Sequence, residues 1–206
     1  MQTSRPHDLL WLTDRDALEG VSEEWVVSLW RPALPVVVRR DVNTEGRIPV
    51  GVRGMRRDQR AAGWVNASKI KRMVCPEDLA VREVLVNSPF VSMPPVQGAI
   101  QLAVREWPWT WGITGSVGYA LATEVPVLHA DSDLDLIIRC PRPVERRALE
   151  EWQRVVELLL CRADTQIETP QGAFALAEWL REGRALLKTS RGPHLVSDPW
   201  ALKEDA

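Results

Sequence analysis

The stretch from Ile113 to Ile138 constrains this chain more than any other, because it joins a glycine-serine turn to a strand that carries two carboxylates. Ile113-Thr-Gly115-Ser116 ends an apolar run and opens a helix, and sixteen residues separate Ser116 from Asp133 in Asp131-Ser-Asp133-Leu-Asp135-Leu-Ile-Ile. The pattern predicts a strand over Trp107–Ile113, a helix over Ser116–Thr123 and a strand over Asp133–Arg139. A Gly-Ser pair at a helix start offers a flexible turn, a hydroxyl and unpaired backbone N–H groups, which together suit a phosphate. In a strand, residues two apart project from one face, so Asp133 and Asp135 stand side by side while Leu134 and Leu136 enter the core. Paired carboxylates repel unless a cation lies between them. Oxygen-only ligands favour a hard divalent ion, Mg²⁺ or Mn²⁺, completed by substrate phosphate oxygens and water. The implied chemistry is phosphoryl or nucleotidyl transfer.

What surrounds this stretch is an ordinary globular composition: 206 residues, 45% hydrophobic and 26% charged. A formal charge of −2 argues against a dedicated nucleic-acid binder, which usually carries a basic excess. The charge is uneven, however. From Arg39 to Arg72 there are ten Lys or Arg against three acids, a local +7, which reads either as a solvated face or as a cradle for a small polyanion. Cys75, Cys140 and Cys161 are far apart and form no ligand cluster with histidine. No basic leader precedes an apolar stretch, and no apolar run approaches ~18 residues. The expectation is a soluble, cytoplasmic protein without a membrane partner. A Walker A loop, a G-x-G-x-x-G fingerprint and a G-x-S-x-G elbow are missing. His129, three residues before Ser132, is either a general base or a loop histidine.

Composition shifts at Asn87–Pro95, which reads as a connector between residues 1–90 and 91–206. In the first part Ser22 is the expected N-cap of a helix to Trp30. Strands are expected at Pro35–Arg39 and Arg47–Arg53 with a turn at Asn43–Gly46, and Pro76 opens a helix toward Val86. The second part adds helices at Pro95–Arg105 and Pro143–Cys161 and a strand at Asp164–Thr169, which turns through Pro170–Gly172 into another. Both parts are α+β, the second around a mixed sheet. The ten tryptophans, against one Tyr and two Phe, divide on this reading. Trp107, Trp109 and Trp111 alternate along one strand and share a face beside the phosphate turn, and Trp152 and Trp179 lie on apolar helix faces. Trp64 is either scaffold or a stacking platform for adenine.

Gly115-Ser116 followed by Asp133-x-Asp135 resembles the signature of the nucleotidyltransferase superfamily with the polymerase-β-like fold. That superfamily usually adds a third carboxylate on a later strand, for which Asp164 is the best match and Glu168, on the same face, the alternative. Further motifs are similar to one group in particular. They are Arg5-Pro-His-Asp-Leu-Leu-Trp-Leu, Pro49-Val-Gly-Val-Arg53-Gly with Arg57, Gln59, Arg60 and Ala62-Gly-Trp64, Ser132-Asp-Leu-Asp-Leu, Glu168-Thr-Pro-Gln-Gly, and Leu186-Leu-Lys188-Thr189. The group is the phosphoribosyl-dephospho-CoA transferases of malonate decarboxylase, the holo-acyl-carrier-protein synthases of that enzyme. The resemblance implies transfer of a prosthetic group from 2′-(5″-triphosphoribosyl)-3′-dephospho-CoA to a serine of the acyl-carrier subunit, with diphosphate leaving. In that setting Asp133, Asp135 and Asp164 hold Mg²⁺ or Mn²⁺ and Gly115 and Ser116 hold the leaving diphosphate. Arg53, Arg57, Arg60 and Lys188 are the expected phosphate ligands. The basic segment suits an acidic carrier as well as phosphate. The same core acting on a different small-molecule or protein acceptor is the alternative reading.

Overall fold

The computed structural model describes residues 3–42 and 45–201. It divides the chain into two compact units, the first ending at Cys75 and the second beginning at Pro76. That division falls earlier than the connector read from the sequence, since Asn87–Pro95 runs from the end of one helix into the next within the second unit.

Among the described residues the first unit is a six-stranded antiparallel sheet with one short α-helix and two 3-10 turns. Its strands are β1 (Leu9–Leu12), β2 (Leu18–Glu19), β3 (Val36–Val38), β4 (Arg47–Arg53), β5 (Arg60–Asn66) and β6 (Ile70–Val74), in the order β2-β5-β4-β3-β1-β6. β4 occupies the span expected for it. β5 alternates cleanly, with Ala61, Gly63 and Val65 inward and Arg60, Ala62 and Asn66 outward, as a half-buried strand must. The core is aliphatic apart from one indole, built on Leu10, Leu12, Val26, Trp30, Val36, Val50 and Val65. Helix α1 (Glu24–Leu29) starts one residue later than expected: Glu23 is its N-cap, and the Ser22 N–H instead donates to the Glu23 carboxylate at 3.2 Å. Asn43 and Thr44 of the expected turn lie outside the described residues.

The second unit is a six-stranded mixed sheet. In order across the sheet run β12 (Gly192–Val196), β11 (Ala185–Thr189), β10 (Gly172–Ala175), β9 (Ala163–Thr169), β8 (Leu134–Arg139) and β7 (Thr110–Thr114). Only β8 and β9 are parallel, joined through helix α6 (Arg146–Glu157), as a parallel pair requires a crossover. The other helices are α2 (Pro76–Leu79), α3 (Arg82–Val86), α4 (Pro94–Ala103), α5 (Gly115–Thr123) and α7 (Leu176–Glu182). The single helix expected from Pro76 to Val86 is broken, because Val81 takes extended backbone and caps α3. The helix expected from Pro143 is shorter, since Glu145 is extended and the Pro-Arg-Pro run before it cannot enter the helical ladder.

Register separates the two faces of this sheet. Leu136, Ile138, Thr165, Ile167 and Phe174 form the apolar face, packed beneath α6 and α7. Asp135, Ile137 and Arg139 of β8 and Asp164, Gln166 and Glu168 of β9 lie on the other. Trp107 and Trp109 precede β7 rather than alternating along it, because Pro108 between them interrupts any ladder. They and Trp111 nevertheless converge on Trp152, with ring centroids 4.8, 6.0 and 5.5 Å away. This cluster belongs to the apolar side, opposite the carboxylates, with Trp152 buried and the other three indoles half-buried around it. The buried Trp152 Nε1–H donates to the Thr165 hydroxyl at 2.9 Å. Trp152→Phe is therefore expected to cost about 1–3 kcal/mol, as a buried hydroxyl loses its donor and indole volume is lost; urea unfolding followed by circular dichroism measures it.

Trp179 and Trp200 pack edge-on against Phe174 and each other, and the Trp200 N–H donates to the Cys140 carbonyl at 3.0 Å. Burial pushes the Cys140 thiol up to about 11, which marks it as an inert core residue. No helix among the described residues is long and apolar enough to cross a membrane.

Candidate active site

Strand β7 delivers the chain to Gly115, whose φ of +65° lies in the left-handed region. This backbone turns the chain from the strand into α5 and leaves Gly115 against β8. A Cβ built on Gly115 would sit 2.2 Å from an Asp135 carboxylate oxygen, so any side chain there would force the carboxylate or the turn to shift. Thr114 is the N-cap of α5 and makes no side-chain cap. Its hydroxyl instead donates to the Asp135 carbonyl at 3.4 Å, and Thr114 and Asp135 are register partners across β7 and β8. The helix start, with its outward N–H groups and positive dipole end, is thereby held next to a carboxylate. Two adjacent groups of opposite electrostatic sense suit one ligand that carries phosphate and metal together.

Asp135 also pairs in register with Asp164 across the parallel β8 and β9, which sets both side chains on one face in neighbouring strands. Asp164 is exposed, and Arg162 approaches it at 3.7 Å. Asp133 is exposed and stands just before β8, outside the ladder that begins when the Leu134 N–H donates to the Arg162 carbonyl at 2.9 Å. The strand expected from Asp133 to Arg139 therefore begins one residue later, at Leu134, with Asp133 directly before it. Asp133 lies close enough to Cys161 that its charge, added to burial, raises that thiol. The backbone of the turn before it is closed by His129: its N–H donates to the Ser132 hydroxyl at 2.8 Å and its carbonyl accepts from the Ser132 N–H. This explains the long Glu124–Ser132 loop, which Leu128, 4% exposed, anchors in the core.

Glu168 sits four residues beyond Asp164 on β9, opposite Arg139. Arg139, 8% exposed, donates from Nε to the Glu77 carboxylate at 3.0 Å. Glu77 is brought there because Gly112 lets α2 lie flat on β7: a Cβ at Gly112 would be 2.3 Å from the Pro76 carbonyl carbon. Sequence reasoning missed this buried ion pair, since nothing in the spacing of residues 77 and 139 announces it. Lys188 is exposed on β11, in register with Ala173 and hence in the row of Glu168, three strands from Asp135. Strand spacing alone puts roughly 14 Å between them, so Lys188 stands apart from the carboxylates.

The donor set fits a hard cation only in part. Among the described residues no three His, Cys, Asp or Glu side chains lie close enough to form a metal cage. One or two carboxylates beside a phosphate-binding turn are nevertheless what Mg²⁺ uses when substrate oxygens and water complete its shell.

In the first unit Arg53, Arg57 and Arg60 share the β4–β5 hairpin. Arg53 and Arg60 are direct cross-strand partners, an arrangement of like charges that favours an anion nearby. Arg56, in the same turn, pairs with Asp58, whereas Arg57 and Arg60 are exposed. The Arg39 guanidinium lies over the Trp64 ring at 5.4 Å, so one face of that indole is already covered; Trp11 carries Arg72 in the same way at 4.5 Å.

Comparison with known proteins agrees with both units. Residues 5–76 match the family described as phosphoribosyl-dephospho-CoA transferase MdcG N-terminal domain, and residues 81–199 the corresponding C-terminal domain. A relative from Klebsiella pneumoniae named phosphoribosyl-dephospho-CoA transferase is 67% identical over 98% of each chain. Proteins of the same name from Azotobacter vinelandii, over 95% of this chain and 94% of theirs, and from Pseudomonas putida, over the whole of both, are 44% and 42% identical. No solved structure matches.

Proposed function

The chain belongs to the phosphoribosyl-dephospho-CoA transferase family, and from that premise we propose that it installs the prosthetic group on the acyl-carrier subunit of malonate decarboxylase. The donor is 2′-(5″-triphosphoribosyl)-3′-dephospho-CoA. The carrier's serine oxygen attacks the phosphorus next to ribose, the bond from that phosphorus to the diphosphate oxygen breaks, and the serine gives up its proton. A phosphodiester and free diphosphate result. The observation that carries this reading is Gly115 wedged against Asp135 at the start of α5, a turn-and-carboxylate pair of the kind used by polymerase-β-like nucleotidyltransferases.

In this mechanism the Gly115 and Ser116 N–H groups and the Ser116 hydroxyl bind the leaving diphosphate, where charge accumulates. Asp133 and Asp135 would hold Mg²⁺ or Mn²⁺, which supplies charge neutralisation on the phosphate oxygens when bound. Asp164 is the better third carboxylate, because it neighbours Asp135 in register while Glu168 lies beside Arg139. Arg53, Arg57 and Arg60 are the cations for the donor's other phosphates, and guanidinium forks suit them. Lys188 remains a ligand only for a distant part of the donor.

The test combines the purified protein, Mg²⁺, the donor and the apo carrier subunit, and weighs the carrier by mass spectrometry. A mass gain equal to the donor minus diphosphate is expected, abolished by EDTA and restored by Mg²⁺. An unchanged carrier would overturn the reading, and labelling from an ordinary nucleoside triphosphate would favour a nucleotidyltransferase with another acceptor.

A further inference from the structure

Strand β9 begins one residue after Arg162, and its ladder with β8 begins one residue after Asp133. The first register pair is Leu134 with Ala163 and the second is Asp135 with Asp164, so Asp133 and Arg162 stand together at the same end of the two strands. The Leu134 N–H donates to the Arg162 carbonyl at 2.9 Å, which fixes the root of the Arg162 side chain. Cys161 beside it is seated against α4, where a Cβ on Gly98 would lie 3.1 Å from its sulfur. The head of the side chain is held far less firmly. Arg162 is 75% exposed, and its Nε approaches the Asp164 carboxylate, itself 56% exposed, only to 3.7 Å. That distance is beyond hydrogen-bond length, and an exposed ion pair of this kind is weak and readily exchanged for another partner.

Charge explains why a guanidinium belongs in this place. Asp133, Asp135 and Asp164 set three carboxylates at one end of the sheet, and a triphosphate approaching them adds further negative charge. The two repel unless cations come between. A divalent ion against Asp164 would drive the guanidinium off that carboxylate, since like charges repel, while a phosphate oxygen attracts both. The planar fork of arginine then suits two phosphate oxygens at once. Arg139, four residues beyond Asp135 on β8, cannot serve in the same way, because it is 8% exposed and tied to Glu77 at 3.0 Å.

We propose that Arg162 is a phosphate ligand of the donor that rests on Asp164: it neutralises Asp164 until a divalent cation takes its place there, and then moves to a phosphate oxygen. The assignment rests on the donor and the cation named above, and it adds to that site a cation supplied by the chain itself.

The experiment uses the full chain with Arg162→Gln, which removes the charge, and Arg162→Lys, which keeps the charge without the fork. Electron paramagnetic resonance of Mn²⁺ without donor reads metal affinity, and isothermal titration of the donor at saturating Mg²⁺ reads donor affinity. Circular dichroism through a urea gradient checks that both variants fold as the wild type does. Arg162→Gln is expected to bind Mn²⁺ about threefold more tightly, because Asp164 loses its competing cation, and the donor about tenfold more weakly. Arg162→Lys is expected to bind Mn²⁺ as the wild type does and the donor about threefold more weakly. An arginine that merely steadied Asp164 would leave metal binding unchanged or weaker when removed. Mn²⁺ affinity at or below the wild-type value in Arg162→Gln, or unchanged donor affinity, therefore overturns the proposal. Neither titration involves the carrier, so if this pattern holds while the wild-type protein leaves the carrier unmodified, the role of Arg162 stands and the carrier reading falls.

Discussion

Asp135→Asn is expected to slow carrier modification by about 10³-fold or more, while shifting stability by no more than about 1 kcal/mol. Asparagine keeps the shape of the side chain and its fit against Gly115, but removes the negative charge that would draw a cation onto the phosphates. If charge neutralisation contributes several kcal/mol to the transition state, each 1.36 kcal/mol lost is tenfold in rate. Asp133→Asn should cost less, about 10–10²-fold, because Asp133 is exposed and stands outside the β8 ladder and so is less firmly aimed. Initial rates of carrier mass gain at saturating Mg²⁺ measure both. Full activity in the two variants would remove the carboxylates from the chemistry.

Much of this site was legible before any coordinates, for identifiable reasons. Gly115, Ser116 and Asp135 are local in sequence around a strand, a turn and a strand of strong β-formers, Leu-Asp-Leu-Ile-Ile, where pattern and propensity agree. β4 and β9 were legible on the same grounds. β5 was not: Arg-Ala-Ala-Gly-Trp-Val-Asn is poor in β-formers, and it is a strand because β4 pairs with it along its whole length. Non-local pairing of that kind overrides propensity and leaves no periodic trace. The tryptophans misled for a related reason. The alternation of Trp107, Trp109 and Trp111 mimics a strand face, but the indoles gather because they share Trp152, which comes from a helix much later in the chain. The Glu77–Arg139 ion pair depends on Gly112 admitting a helix backbone, a steric fact that no single residue declares.

Gly115→Ala separates geometry from charge at the same site, and it should reduce transfer by about 10²-fold and stability by about 1–3 kcal/mol. Two effects combine in that variant. The left-handed backbone at φ +65° disfavours any Cβ, and the new methyl would fall 2.2 Å from an Asp135 oxygen, which real atoms do not tolerate. Either the carboxylate swings away or the turn shifts, and in both cases the phosphate-binding N–H groups and Asp135 lose their mutual alignment. Misplacement on the order of 1 Å is enough to cost about 10²-fold in rate. Gly183→Ala provides the control. It has nearly the same backbone, φ +70°, but nothing lies within 4 Å of its added Cβ, so it pays the conformational cost alone, about 1 kcal/mol, with no effect on transfer. Denaturant midpoints and carrier-labelling rates for the pair isolate the Asp135 contact. If both variants lose the same stability and keep full rates, the close approach of Gly115 to Asp135 is incidental to catalysis, and the diphosphate must be held elsewhere.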